Sequence, residues 1–289
     1  MPSLKAIKRR IAGVSSTQQI VRAMDMVSAS KLQGTRARLE PARNMKNSMA
    51  ALMDGIRNCH LAAQNPFVAP REQSRRAYIV ITSDRGLCGS YNLNLTRYAS
   101  SSIKGHGNDS IIAVGLQGWE YFKNRDVNIL QGFSDISETA LYEDAQRIGE
   151  LIIDLYTSNN IDEVYVIYTR FDSVLMHLPQ TEKLLPVGSN EEKALWYDTM
   201  IYEPDPDQFL EYAVPLYLNA FIYRAMVESA CCENAARMTS MHSAANNADE
   251  IIQRMTREYN RTRQSMVTQE ITEIVGGAKA LQQSREKKE

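Results

Sequence analysis

The residues best suited to chemistry lie in one short stretch, Ser83-Asp84-Arg85-Gly86-Leu87-Cys88-Gly89-Ser90-Tyr91-Asn92. It follows a β-branched run, where a nucleotide-binding sheet would place its phosphate loop. Its glycines have only a GxxG spacing: GxGxxG is absent, as is GxxxxGK followed by Ser or Thr, so no lysine is placed to hold a phosphate. Two readings stay open, a tight turn around a buried Cys88 and the phosphate cradle of an enzyme. His60, His106, His177 and His242 are isolated from one another and from the cysteines, against zinc or a Cys/His nucleophile. Cys59, Cys88, Cys231 and Cys232 make no CxxC pair and read as reduced thiols. Neither GxSxG nor HExxH occurs, and Glu143-Asp144 and Glu191-Glu192 read as solvated faces. No catalytic constellation, metal set or cofactor site is visible.

Bulk properties exclude little beyond disordered, collagenous and mini-protein classes: 289 residues, 44% hydrophobic, 33 Lys and Arg against 34 Asp and Glu. Charge by segment says more. Residues 1–60 carry a net of +8, residues 61–206 a net of −8 and residues 207–289 a net of −1. A basic N-terminal arm fits nucleic acid, an anionic membrane surface, or a helix whose basic face meets an acidic partner. No stretch approaches the roughly 18 to 20 apolar residues of a membrane span. The first residues form no secretory leader, although residues 1–24 are basic and acid-poor, as in a transit peptide.

The elements that must position these groups fall into three parts, residues 1–60, 75–190 and 207–283. From Leu216 to Val275 there is no Gly or Pro, and a helix of that length would reach about 90 Å. Met241, Ala245, Ala248, Ile252, Met255, Tyr259, Thr262 and Met266 alternate four- and three-residue steps. After a one-residue shift Val267, Ile271, Ile274, Ala278 and Leu281 continue, a coiled-coil seam with a change of winding. Leu4, Ile7, Ile11 and Val14, then Ile20, Met24 and Val27, then Met45, Met49, Leu52 and Ile56, supply a partner seam, with a bend or break expected near Pro41. The economical arrangement is an antiparallel pair made by the two ends of one chain. In the middle, Tyr78–Thr82, Ile111–Val114, Val127–Ile129 and Val164–Tyr168 read as strands, with another near Lys183–Pro186. Helices over Leu93–Ile103, Leu116–Lys123 and Thr139–Tyr156 separate them, which implies crossovers and a doubly wound, Rossmann-like α/β domain. The Asn, Arg and Gln residues that punctuate the C-terminal seam, densest over Asn260–Glu270, suit directional contacts with a surrounding partner.

Three stretches then resemble one family. Ile7-Lys8-Arg9-Arg10-Ile11 with Ala23–Lys31, the loop Ser83–Asn92, and Glu233–Met238 through Asn260, Arg263-Gln264, Thr268-Gln269-Glu270 and Glu273-Ile274-Val275 are similar to the gamma subunits of F-type ATP synthases. The resemblance implies a central rotor stalk without nucleotide or other cofactor, its coiled coil inserted in a ring of three alpha and three beta subunits. Its α/β domain would stand on the epsilon subunit and the c ring, at the cytoplasmic side of a bacterial inner membrane or the matrix side of a mitochondrial one. Proton flow through the ring would turn the shaft and drive the beta sites through their states. The same resemblance assigns Arg237, Gln264, Thr268, Glu270 and Glu273 to the face that meets the beta subunits, Met24 and Lys31 to the opposing helix, and Tyr202 and Glu203 to the foot near the c ring and epsilon. Gln33-Gly34 departs from the usual pattern and should soften the helix. The absence of an inserted cysteine segment implies no thiol regulation.

Overall fold

The computed structural model describes residues 3–57, 65–69, 71, 75–103, 109–125, 127–187 and 205–286. In chain order the elements are α1 (Leu4–Arg57), β1 (Arg76–Ile81), α2 (Tyr91–Ser102), β2 (Ser110–Val114), α3 (Leu116–Lys123), β3 (Asn128–Phe133), α4 (Tyr142–Thr157), β4 (Glu163–Phe171), β5 (His177–Leu185) and α5 (Pro206–Glu286). The sheet order is β3-β2-β1-β4-β5. The first four strands are parallel and β5 runs antiparallel to β4, a hairpin on an otherwise doubly wound sheet.

Alternation along β1 decides which helices cover which face. Ala77, Ile79 and Ile81 join Ile112, Val164 and Val166 in a core shared with Ala145, Ile148, Ile152 and Tyr156 of α4 and the first third of α5. Tyr78 and Val80 face the other way, into a smaller core with Leu95 and Ala99 of α2 and Phe122 of α3. The strand is buried on both faces, and the period-two direction of its side chains assigns one helix layer to each side of the sheet.

The chain divides into two compact units, Val27–Ser240 and the pair of segments Met1–Met26 with Met241–Glu289. Within the first, α1 and α5 are antiparallel: Arg43 pairs with Glu228, and Lys46 lies over the Phe221 ring. In the second, Gln18 donates to the Ala245 carbonyl at 3.5 Å, Arg22 pairs with Asp249 at 2.6 Å, and Asp25 meets His242 at 3.4 Å, again antiparallel.

Two expectations for the long helices change. Pro41 neither ends nor breaks α1, which is continuous across it. Pro41 and Ala37 are exposed, so water can take the carbonyl that loses its partner, while buried Leu39 and Ala42 hold the helix on its core side. The α1 seam does not follow Ile20 and Val27, although Met24 between them is half-buried. The buried and half-buried line runs 4, 7, 11, 14, 18, 21, 25, 28, 32, 35, 39 and 42, with 15, 24 and 38 half-buried beside it, leaving Ile20 and Val27 exposed and burying Gln18, Ser28 and Thr35. Polar side chains are tolerated in the seam where they find partners, Gln18 across it at the Ala245 carbonyl and Thr35 Oγ1 locally at the carbonyls of Lys31 and Leu32 at 3.0 and 3.1 Å. At the start of α5, Asp205 accepts from the Gln208 N–H at 3.0 Å ahead of Pro206, capping the helix.

Candidate interaction surfaces and the loop after the first strand

The loop from Ser83 to Ser90 leaves β1 next to the point where strand order reverses, the place an open α/β sheet offers to a ligand. Its polar groups are engaged within the chain. Asp84 Oδ1 accepts from the Leu116 N–H at 3.1 Å, which puts a carboxylate on the N-terminus of α3. Asp84 Oδ2 accepts from the Ser137 N–H and hydroxyl at 3.1 and 2.8 Å. Asn92 accepts from the Ser83 N–H at 3.1 Å and donates to Ser83 Oγ at 2.6 Å and to Cys88 Sγ at 3.2 Å. A phosphate here would face Asp84 instead of free backbone donors. The geometry therefore favours the tight turn around a buried Cys88 over the enzyme reading.

Two residues of α5 close the turn from below. Arg237 reaches the carbonyls of Arg85 and Gly86 at 3.4 Å and pairs with Glu233 at 2.6 Å. Glu233 is buried, which pushes its carboxyl up to about 7 against the opposing pull of Arg237. Leu87 takes a φ of 62° and points an exposed side chain to solvent, a conformation that costs a leucine about 1 kcal/mol or more. Gly89 has a φ of 58°, and a Cβ there would lie 2.7 Å from Ser240 Oγ, so this turn needs glycine for both conformation and space. Burial raises the pKa values of Cys88, Cys231 and Cys232, keeping these thiols protonated and poorly reactive.

The residues assigned by resemblance fall in different settings. Arg237 is buried under the loop. Lys31 is exposed and bonded to Glu138. Met24 is half-buried in the unit formed by the chain ends. Gln264, Thr268, Glu270 and Glu273 are exposed, Thr268 bonding back to the Gln264 carbonyl at 2.9 Å and Glu273 accepting from Gln269 at 2.9 Å. Tyr202 and Glu203 lie outside the described residues, as do Cys59, His60 and His106. The basic N-terminal arm is partly neutralised within the chain, through Arg22 to Asp249, Lys31 to Glu138 and Arg43 to Glu228. Sequence reasoning passed over Arg43 and Glu228; the visible clue was a lone glutamate after the apolar run Ala225-Met226-Val227.

From Arg263 to Ala278 every residue of α5 is exposed, and the stretch still carries Met266, Val267, Ile271, Ile274 and Val275, with Ile274 71% exposed. Apolar residues at helical spacing without cover mark an interaction surface. Among the described residues no helix is long and apolar enough to cross a membrane, and no group of three potential metal ligands occurs.

A family model described as ATP synthase matches residues 3–281. An ATP synthase gamma chain of Alkaliphilus metalliredigens is 40% identical over 284 residues, covering 96% of this chain and 98% of that one. An "ATP synthase gamma chain, sodium ion specific" of Acetobacterium woodii is 37% identical, covering 96% and 99%. Among solved structures, a chain of the Euglena gracilis mitochondrial ATP synthase, in an assembly of OSCP, F1 and c-ring, is 19% identical with a TM-score of 0.71, covering 96% and 94%.

Proposed function

The chain belongs to the family of ATP synthase gamma chains, and from that premise we propose that it is the central rotor stalk of an F-type ATP synthase. The observation that carries this reading is the exposed apolar stretch of α5 from Met266 to Val275. A lone chain gains nothing by leaving those side chains in water, whereas a surrounding ring of three alpha and three beta subunits would cover them. Ion flow through the c ring turns the α/β part, the helices carry the rotation into the ring, and the asymmetric shaft drives each beta site through open, loose and tight states.

Within that reading Gln264, Thr268, Glu270 and Glu273 meet the beta subunits directly, with Met24 and Lys31 contributing from α1. Arg237 takes part through the loop it holds, since its guanidinium faces the Arg85 and Gly86 carbonyls. Tyr202 and Glu203 belong to the foot on the c ring and epsilon. ATP chemistry takes place on the beta subunits and this chain supplies no catalytic residue, in keeping with a loop whose Asp84 already occupies the α3 N-terminus. The complex sits peripherally on the cytoplasmic face of a bacterial inner membrane, or on the matrix side of a mitochondrial one. The buried, high-pKa thiols support a shaft without redox control. An equal ATPase rate in reduced and oxidised complex is the expected result.

The test is co-purification of the tagged chain with alpha and beta subunits. A complex of three alpha, three beta and one copy of this chain, with ATPase activity, is expected. A lone monomer or homodimer that ignores both subunits would refute the proposal.

A further inference from the structure

At the carboxyl end of β4 one residue's backbone is gripped by both long helices. The Phe171 N–H donates to Glu228 Oε2 of α5 at 3.1 Å, and the Phe171 carbonyl accepts from Arg43 Nη2 of α1 at 2.7 Å. Arg43 Nε donates to Glu228 Oε1 at 3.0 Å, so side chains 185 positions apart close a ring through a single strand residue. A second arm braces it. Arg224 lies 3.5 Å from Glu228 Oε1, reaches Glu182 of β5 at 2.5 Å, and bonds to the Tyr168 hydroxyl of β4. Glu228 and Arg224 side chains are only 2% and 5% exposed.

Next to this ring Ser229 accepts from the Thr169 N–H at 3.4 Å and Cys232 reaches the Thr169 carbonyl at 3.4 Å, and most of the remaining packing of these helices on the sheet is aliphatic and aromatic. Such contacts are numerous but weakly directional, so a helix can turn or slide on them by small amounts at low cost. Charge-assisted hydrogen bonds are short and directional. A buried ion pair adds little net stability compared with an apolar replacement, and its best-attested use is to fix one geometry. Glu228 and Arg43 have that effect here: together they fix the rotation and axial position of both helices against the same strand residue. Both helices then run on past residues 26 and 241 into the other unit.

We infer that Arg43 and Glu228, closed on the backbone of Phe171, are positioning residues that fasten the two helices to the sheet and carry torque between them. This rests on the rotor reading. The load enters through the α/β layers and leaves along the helices, and this ring ties all three elements with directional bonds. Arg224 with Glu182 and Tyr168 holds the glutamate in place.

The test uses the whole complex with its membrane sector in vesicles, carrying Glu228→Gln or Arg43→Lys. The amide of Glu228→Gln still accepts from Phe171 but loses the charge pair; Arg43→Lys keeps the charge but loses the forked contact. Subunit stoichiometry, ATPase rate without a gradient, the plateau of ATP-driven ion uptake, and the angular variance of a probe on the α/β part of the stalled complex are measured. Expected are unchanged stoichiometry, ATPase within about twofold of the parent, an angular variance raised roughly twofold in both variants, and a lower uptake plateau. A purely structural pair would lower the yield of complex and leave the variance and plateau of assembled molecules unchanged, which would overturn the inference. Failure of both variants to assemble would also overturn it, by making the pair a folding contact. Failure of the parent chain to assemble would instead remove the rotor reading.

Discussion

Between Tyr217 and Ala235 every residue of α5 except Tyr223 is buried; from Met241 to Thr262 the same helix buries a single stripe, and from Arg263 to Ala278 it buries nothing. Apolar content falls along the helix, yet the last stretch remains partly apolar while losing all of its cover. In the first stretch small residues, Ala220, Ala225, Ala230, Cys231, Cys232 and Ala235, allow close packing on all sides, and the charged residues Arg224, Glu228 and Glu233 have partners inside the unit, Glu233 with Arg237 just beyond the stretch. The last stretch keeps Met266, Ile271 and Ile274 yet leaves them in solvent. One region of the molecule is complete by itself, and the other awaits a partner.

That contrast can be broken first in the α/β unit. Ile79 is fully buried at the centre of the sheet, and Ile79→Ala should destabilise the chain by about 2–5 kcal/mol in a denaturant titration. A loss below about 1 kcal/mol would mean the core is looser than described.

A smaller effect should come from Glu233. Its carboxyl is held up to about 7, above the usual range of a glutamate, because burial disfavours the charged form. Between about 4.5 and 7 the folded chain therefore keeps a proton there that the unfolded chain has released. The stabilisation is full below the unfolded pKa and is lost as pH rises through 7. Glu233→Gln should remove from the stability profile a downward slope of up to roughly 1.4 kcal/mol per pH unit within that window. Profiles of parent and variant that run parallel would contradict the assignment.

Gly34 tests the other long helix, α1. It sits inside α1 with open space where a Cβ would go, so Gly34→Ala should stabilise the chain by about 1 kcal/mol. A destabilised variant would point to a close neighbour at that site.

The unit formed by the chain ends should respond least. Arg22 and Asp249 are 57% and 43% exposed, and Arg22→Ala should change stability by no more than about 0.5 kcal/mol. Ile274→Asp should likewise leave the lone chain within about 0.5 kcal/mol of the parent. Its effect is expected in co-purification, as lost recovery of alpha and beta subunits; full recovery would deny this surface its partner.

Much of this was legible in the sequence, and the rest was hidden for identifiable reasons. Leu116–Lys123 appears as α3 with those bounds, and Val164–Tyr168 lies within β4, because strong periodicity and β-branched runs with nearby turns carry their own assignment. The seam from Met241 to Thr262 appears as the buried and half-buried stripe of α5. The α1 seam was misread where apolar residues stand off the buried line, since Ile20 and Val27 look like core positions while Gln18 and Ser28 do not. Pro41 misled for a related reason: the cost of an internal proline is legible locally, but the buried neighbours that offset it are not. The grip of Arg43 and Glu228 on Phe171 joins three distant segments, and no local pattern encodes a contact between residues 185 apart.

The most direct measurement of the central claim is rotation. With the complex fixed by its beta subunits and a probe on the α/β part of this chain, ATP should drive one-way turning that is lost when Ile271 and Ile274 are both changed to Asp. A probe that stays still while the same complexes hydrolyse ATP would contradict the account.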